Sequence, residues 1–123
     1  MKKIFLAESE RHVLDALRLL LEEQADIEII GEAHNAEVLL TQVSKTTPDA
    51  ILFDWNLPGL HPQRFVPALR RGCPSAKLLA ISVKPEDEKI VKKFDLDLFI
   101  SKQLPPDEFL KLLKEITDLK ENL

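Results

Sequence analysis

Four polar side chains in this sequence each stand at the end of a short apolar run. Glu8 follows Ile4-Phe5-Leu6-Ala7, Asp54 follows Ala50-Ile51-Leu52-Phe53, Ser82 follows Leu78-Leu79-Ala80-Ile81, and Lys102 follows Leu98-Phe99-Ile100-Ser101. An acid at the mouth of a buried strand is costly to keep ionised unless a partner compensates. Two acids, a hydroxyl and an ammonium gathered at one place suit phosphoryl transfer to a carboxylate. Asp54 is the candidate nucleophile, forming an aspartyl phosphate. The incoming group carries charge on three oxygens and needs cationic and hydrogen-bonding partners. Lys102 would serve one side and the Ser82 hydroxyl another, while Mg²⁺ held by carboxylates and a main-chain carbonyl would serve a third. Singly, each residue has a plainer reading. Asp54 could cap the turn at Pro58-Gly59, Glu8 could complement a helix dipole, Ser82 could cap a turn, and Lys102 could be solvated.

Convergence therefore depends on topology, which the apolar spacing supplies. Strands are expected at Ile4–Ala7, Ile27–Gly31, Ala50–Phe53, Leu78–Ile81 and Leu98–Ile100. Between them, Val13, Leu14, Leu17, Leu20 and Leu21 mark a helix over residues 10–23. Asn35 is a candidate N-cap for a second helix carrying Ala36, Leu39, Leu40 and Val43. A third runs from Gln63 to Arg71 with Phe65, Val66 and Leu69 inward, and a short fourth covers residues 86–94. The last follows Pro105-Pro106, with Phe109, Leu112, Leu113, Ile116 and Leu119 on one stripe. Strands that are apolar without alternation are buried on both faces, the mark of a parallel sheet covered by helices. The expected fold is α/β: a doubly wound, flavodoxin-like (βα)5 domain with a five-stranded parallel sheet in the order 2-1-3-4-5. All four polar residues then lie at its carboxyl edge. The rival nucleotide-binding fold would need a glycine-rich turn after the first strand, and Glu8-Ser9-Glu10-Arg11 contains no glycine.

Composition narrows the function further. At 123 residues, with 45% hydrophobic and 31% charged content, the chain suits one globular domain spanning 1–123. Its net charge of −4 argues against a dedicated nucleic-acid surface. No apolar run approaches a membrane span, and the first residues do not read as a signal peptide. The lone Cys73 excludes an internal disulfide and fits the cytoplasm. His12, His34 and His61 lack ligand spacing. Trp55 is expected to pack against a neighbouring helix, because aromatics favour burial, the alternative being that it shields the site.

With these residues in place, the sequence resembles the receiver domain of two-component response regulators over nearly its whole length. Ile51–Gly59 is similar to the phosphoacceptor strand and turn, Leu79–Ser82 to the Ser/Thr strand, and Phe99–Lys102 to the lysine strand. Asp26–Ala33 and the Pro105-Pro106-Asp107-Glu108 helix start resemble receivers attached to helix-turn-helix output domains. The resemblance implies Asp54 as phosphoacceptor, Ser82 as switch hydroxyl, Lys102 as phosphate-contacting lysine and Phe99 as aromatic switch. It implies Mg²⁺ held by Glu8, Asp54 and the main chain of Asn56, with Ser9 or Glu10 as a further candidate ligand. It also implies a signalling phosphoacceptor rather than an enzyme, with a sensor histidine kinase upstream. Downstream it implies a partner protein or an attached output domain, and a dimer through the face of the fourth helix, fifth strand and fifth helix. The sequence departs from the family pattern in four places. Glu8-Ser9 replaces two adjacent acids, Gln103 replaces a frequent proline, Leu98 replaces a frequent glycine, and the Ser82–Lys102 segment is about two residues short. The first departure suits a rival reading, a pseudo-receiver that binds partners without being phosphorylated. A haloacid- or phosphatase-like hydrolase would need a second acid two residues beyond the nucleophile, where this chain has Asn56.

A serine hydroxyl is a poorer Mg²⁺ ligand than a carboxylate. Ser9→Asp should therefore tighten Mg²⁺ binding and speed phosphorylation from a small donor, while lowering stability without metal through added repulsion near Asp54. Mg²⁺ titrations followed by Trp55 fluorescence, with thermal melts, check this. Equal affinity in the wild type would show that Glu8 or Glu10 already fills the ligand role.

Overall fold

Five apolar runs pair edge to edge in the computed structural model, which describes the backbone of residues 1–121 and side-chain surroundings through Thr117. The strands are β1 (Lys2–Ala7), β2 (Ile27–Ala33), β3 (Ala50–Asp54), β4 (Lys77–Ser82) and β5 (Leu98–Ser101). They alternate with α1 (Arg11–Glu22), α2 (Ala36–Thr46), α3 (Pro62–Gly72), α4 (Asp87–Val91) and α5 (Pro106–Glu121). All pairings are parallel, in the order β2-β1-β3-β4-β5. Leu119, expected on the apolar stripe of α5, lies outside the residues whose side chains are described.

The two-residue period of each strand divides the core into two layers. Phe5, Ala7, Ile51, Phe53, Leu78 and Ala80 face α2 and α3, meeting Leu39, Val43, Phe65 and Leu69. Ile4, Leu6, Leu52, Leu79, Ile81 and Ile100 face α1 and α5, meeting Leu14, Leu21, Phe109 and Leu113. Unbroken apolar runs are what a sheet covered on both faces requires. Helix signals hold as well: the Asn35 side chain accepts from Val38 N at 2.8 Å and caps α2. On the α1 side, the Arg18 guanidinium grips Glu32 of β2 through Nε at 2.6 Å and a second nitrogen at 2.8 Å. The Arg18 hydrogen bonds hold the Glu32 carboxyl below its ordinary value, against the burial that opposes them.

The fourth helix is shorter than residues 86–94. It stops at Val91, and Lys93 N and Phe94 N turn back to Ile90 and Val91 carbonyls in tighter three-residue bonds. The cause lies downstream. Asp97 accepts from Leu78 N at 2.7 Å, and Arg70 of α3 donates to the Asp95 carbonyl at 2.9 Å. These ties pull the chain back to the start of β4 before another helical turn can form.

One glycine is demanded by packing. The β1–β2 register slips between Ile4 and Phe5, so Phe5 pairs with Gly31 and Ile30 is left over as a bulge. A Cβ on Gly31 would lie 2.3 Å from the Phe5 ring, which is fully buried. Gly31→Ala should destabilise the fold by about 1–3 kcal/mol, the usual cost of overpacking a core. Urea denaturation checks it, and a companion Phe5→Leu substitution should recover part of the loss.

Candidate functional site

In a parallel sheet the carboxyl ends of all strands share one edge, and here that edge brings Asp54 and Glu8 onto the ammonium of Lys102. Asp54, the last residue of β3, is 8% exposed. Its Oδ1 accepts from Asn56 N at 2.8 Å and its Oδ2 accepts from Lys102 Nζ at 2.7 Å. Glu8, just beyond β1, is fully buried, and its Oε1 lies 2.6 Å from the same Nζ. That contact is an ion pair; Oε1 takes no hydrogen bond of normal geometry, whereas Oε2 accepts from Glu10 N at 3.0 Å. Lys102 is set by its own main chain, since its N donates to the Ser82 carbonyl at 2.8 Å and carries on the β4–β5 pairing.

The electrostatics follow from burial. Burial pushes the Glu8 carboxyl above its ordinary value, and Asp54 adds to this, while Lys102 opposes it. For Lys102, burial works against the charged form, yet the hydrogen bond to Asp54 and the ion pair with Glu8 outweigh it and hold the ammonium above its ordinary value. The proton therefore stays on Lys102. Two carboxylates held at a few ångströms by one ammonium repel each other and gain from any further positive charge.

Ser82 is not on that ammonium. Its fully buried hydroxyl donates to Asp87 Oδ2 at 2.7 Å, and Asn56 Nδ2 donates to Ser82 Oγ at 3.3 Å and to Asp87 Oδ2 at 3.1 Å. Asp87 is the residue that sequence reasoning missed. It sits in the run Glu86-Asp87-Glu88, which reads as a solvated helix start. No local pattern marks a carboxylate folded inward there. Phe99 is half-buried at the groove between α4 and β5, beside Val91, Phe94 and Leu96. Trp55 packs as expected: it is 7% exposed, with its ring 5.5 Å from that of Phe94. Ser9 and Glu10 are both exposed.

Among the described residues, no three histidine, cysteine or acidic side chains are grouped to hold a metal ion. Two carboxylates suffice for Mg²⁺, which keeps several waters and takes one or two acids plus phosphate oxygens. Glu8 and Asp54 supply two such carboxylates, and Glu8 Oε1 is a buried hard oxygen whose one close neighbour of opposite charge is the Lys102 ammonium, at 2.6 Å.

The family model for the response regulator receiver domain matches residues 4–114. The chain belongs to the response regulator receiver family. This receiver is 28% identical over 114 residues to the nitrate/nitrite response regulator protein NarL of Escherichia coli K12, covering 91% of this chain and 53% of NarL. It is 30% identical over 121 residues to the transcriptional regulatory protein BtsR of the same strain, covering 98% of this chain and 49% of BtsR. The chain thus spans about half the length of the curated relatives it matches. In fold it is similar to the isolated REC domain of RcsB from Salmonella enterica serovar Typhimurium, at a TM-score of 0.84, 20% identity and coverage of 95% and 88%. A CheY-like receiver from Methanospirillum hungatei JF-1 matches at a TM-score of 0.83 and 22% identity, covering 99% and 98%.

Removing Lys102 would leave two buried acids facing each other. Lys102→Ala should cost about 3 kcal/mol at neutral pH, the low end for breaking a buried pair because the ammonium keeps slight exposure. The sign with pH follows from the shifts. Glu8 holds its proton more tightly folded than unfolded, so stability falls as pH rises above 4.5, its ordinary value, and falls more steeply in the variant. The Lys102 contribution is present below 10.5, its ordinary value, and is lost as pH climbs through its higher folded value. The deficit of the variant should therefore shrink toward acid, as measured by chemical denaturation across pH.

Proposed function

We propose that this receiver accepts a phosphoryl group on Asp54 from a sensor histidine kinase, with Mg²⁺, and thereby changes the surface formed by α4, β5 and α5. The observation that carries this is the shared ammonium: Lys102 Nζ lies 2.7 Å from Asp54 and 2.6 Å from Glu8 at the mouth of the sheet. In the transfer, an Asp54 carboxylate oxygen attacks phosphorus. A phosphorus–oxygen bond forms as the bond to the donor nitrogen or acyl oxygen breaks, and the donor keeps that electron pair. Lys102 stays protonated and shifts part of its interaction from the carboxylate to a phosphoryl oxygen. Glu8, Asp54 and the main-chain carbonyl of Asn56 would hold Mg²⁺, with Ser9 or Glu10 reaching it directly or through water. When bound, the ion supplies positive charge to the phosphoryl oxygens. Ser82 donates its proton to a phosphoryl oxygen, and Phe99 repacks in the α4–β5 groove.

The site residues are proposed by position and chemistry, and the reading of 1–123 as one receiver rests on the family match over most of that length. By analogy with NarL and BtsR, whose names place them among response and transcriptional regulators, the output is transcriptional. The acidic chain acts through an output domain or a partner protein, with dimer formation on the α4–β5–α5 surface, rather than by touching nucleic acid itself. No helix of the described residues is long and apolar enough to cross a membrane, and the proposed place of action is the cytoplasm.

Incubation with a small acyl phosphate and Mg²⁺ should add one phosphoryl group by intact mass, and Asp54→Ala should abolish it. Omission of Mg²⁺ should slow the reaction strongly. A folded wild type that takes no phosphoryl group at saturating donor would mean a partner-binding module instead.

A further inference from the structure

The buried carboxylate of Asp87 takes no part in the transfer chemistry, yet it is 7% exposed and opens α4. Both groups bonded to its Oδ2, the Ser82 hydroxyl and the Asn56 amide, are neutral. The Ser82 hydroxyl has a single proton to give. Its oxygen already faces two donors, Lys84 N at 3.0 Å and Asn56 Nδ2 at 3.3 Å. Asp87 is the acceptor in this group, so the proton points to Asp87 and away from Asp54.

We propose that Asp87 is a positioning residue that withholds the Ser82 proton in the resting receiver and releases it, together with α4, when Asp54 is phosphorylated. This rests on the phosphoacceptor reading of the site. One residue links the two carboxylates: Asn56 donates its main-chain N to Asp54 Oδ1 and its side-chain amide to Asp87 Oδ2. A phosphoryl group on Asp54 brings roughly −1.5 to −2 charges. Its oxygens compete for the Ser82 proton and repel the Asp87 carboxylate through the same narrow region. Once Ser82 turns away, Asp87 keeps only the Asn56 amide, and a buried acid short of partners is driven toward water. α4 has five residues, too few to hold a helix without tertiary support. It follows its first residue, and the turn behind it carries Phe94, which packs on Trp55. Asp87 thus stabilises the resting arrangement, and its removal shifts the population toward the phosphorylated one.

The test uses Asp87→Asn, which keeps the shape and removes the charge, and Asp87→Ala, which removes both. Each folded variant, verified by thermal melt, is titrated with beryllium fluoride in the presence of Mg²⁺ and followed by Trp55 fluorescence. Both should bind this phosphoryl mimic about tenfold more tightly than wild type, the scale of one hydrogen bond to a charged group. In a Ser82→Ala background the same substitutions should tighten binding by no more than about threefold, because only the charge repulsion is left once the coupled hydroxyl is gone. A wild type that binds the mimic while neither variant binds it more tightly overturns the role of Asp87 and leaves the receiver reading standing. A gain of equal size in the Ser82→Ala background also overturns it, since the effect would then not pass through Ser82. A wild type that neither binds the mimic nor takes a phosphoryl group overturns the receiver reading and this proposal together.

Discussion

The site depends on one ammonium placed between two buried carboxylates. Lys102 meets Asp54 at 2.7 Å and Glu8 at 2.6 Å. Neither acid is comfortable without it, and burial disfavours the charge on all three groups. Folding tolerates the arrangement because each member sits at the end of a different strand of the same parallel sheet. The cost of gathering charge is met by the apolar layers on either side, where Phe5, Ile51, Leu52, Phe53, Leu78 and Leu79 are almost completely buried. The charge imbalance that remains, two carboxylates to one cation, electrostatically favours further positive charge at this edge of the sheet.

Much of this was legible in the sequence. Strands buried on both faces leave no polar alternation, so five apolar runs separated by helical patterns already implied the parallel sheet and its order. Placement at the carboxyl edge then required Glu8, Asp54 and Lys102 to meet. Helix ends were harder. α4 stops at Val91 because Arg70 and Asp97 tie the following chain to β4, and ties between residues so far apart leave no local pattern. The inward turn of Asp87 was invisible for a related reason: between Glu86 and Glu88 its burial depends on hydroxyl and amide partners contributed by β4 and the β3 turn.

Two polar groups of the site thus behave differently. The Glu8–Lys102–Asp54 group is ionic and sits where solvent still reaches Asp54. The Asn56–Ser82–Asp87 group mixes one charge with neutral donors, and its Ser82 and Asp87 are buried while Asn56 is exposed. Asn56 belongs to both, by its main chain in the first and its side chain in the second. A change of charge at Asp54 therefore has a short covalent and hydrogen-bonded route to α4 that needs no rearrangement of the core.

The sheet also has two margins, β2 and β5, whose outer edges pair with no further strand among the described residues. An open margin invites another chain to pair with it, the usual start of edge-to-edge aggregation. Here one margin is only four residues long, and the other carries the bulge at Ile30. Shortness at one side and irregular spacing at the other deny an incoming strand a regular ladder. The Phe5–Gly31 contact that accompanies the bulge thus has a colloidal consequence as well as a packing one: it helps keep a domain built on an apolar parallel sheet from adding copies of itself side by side.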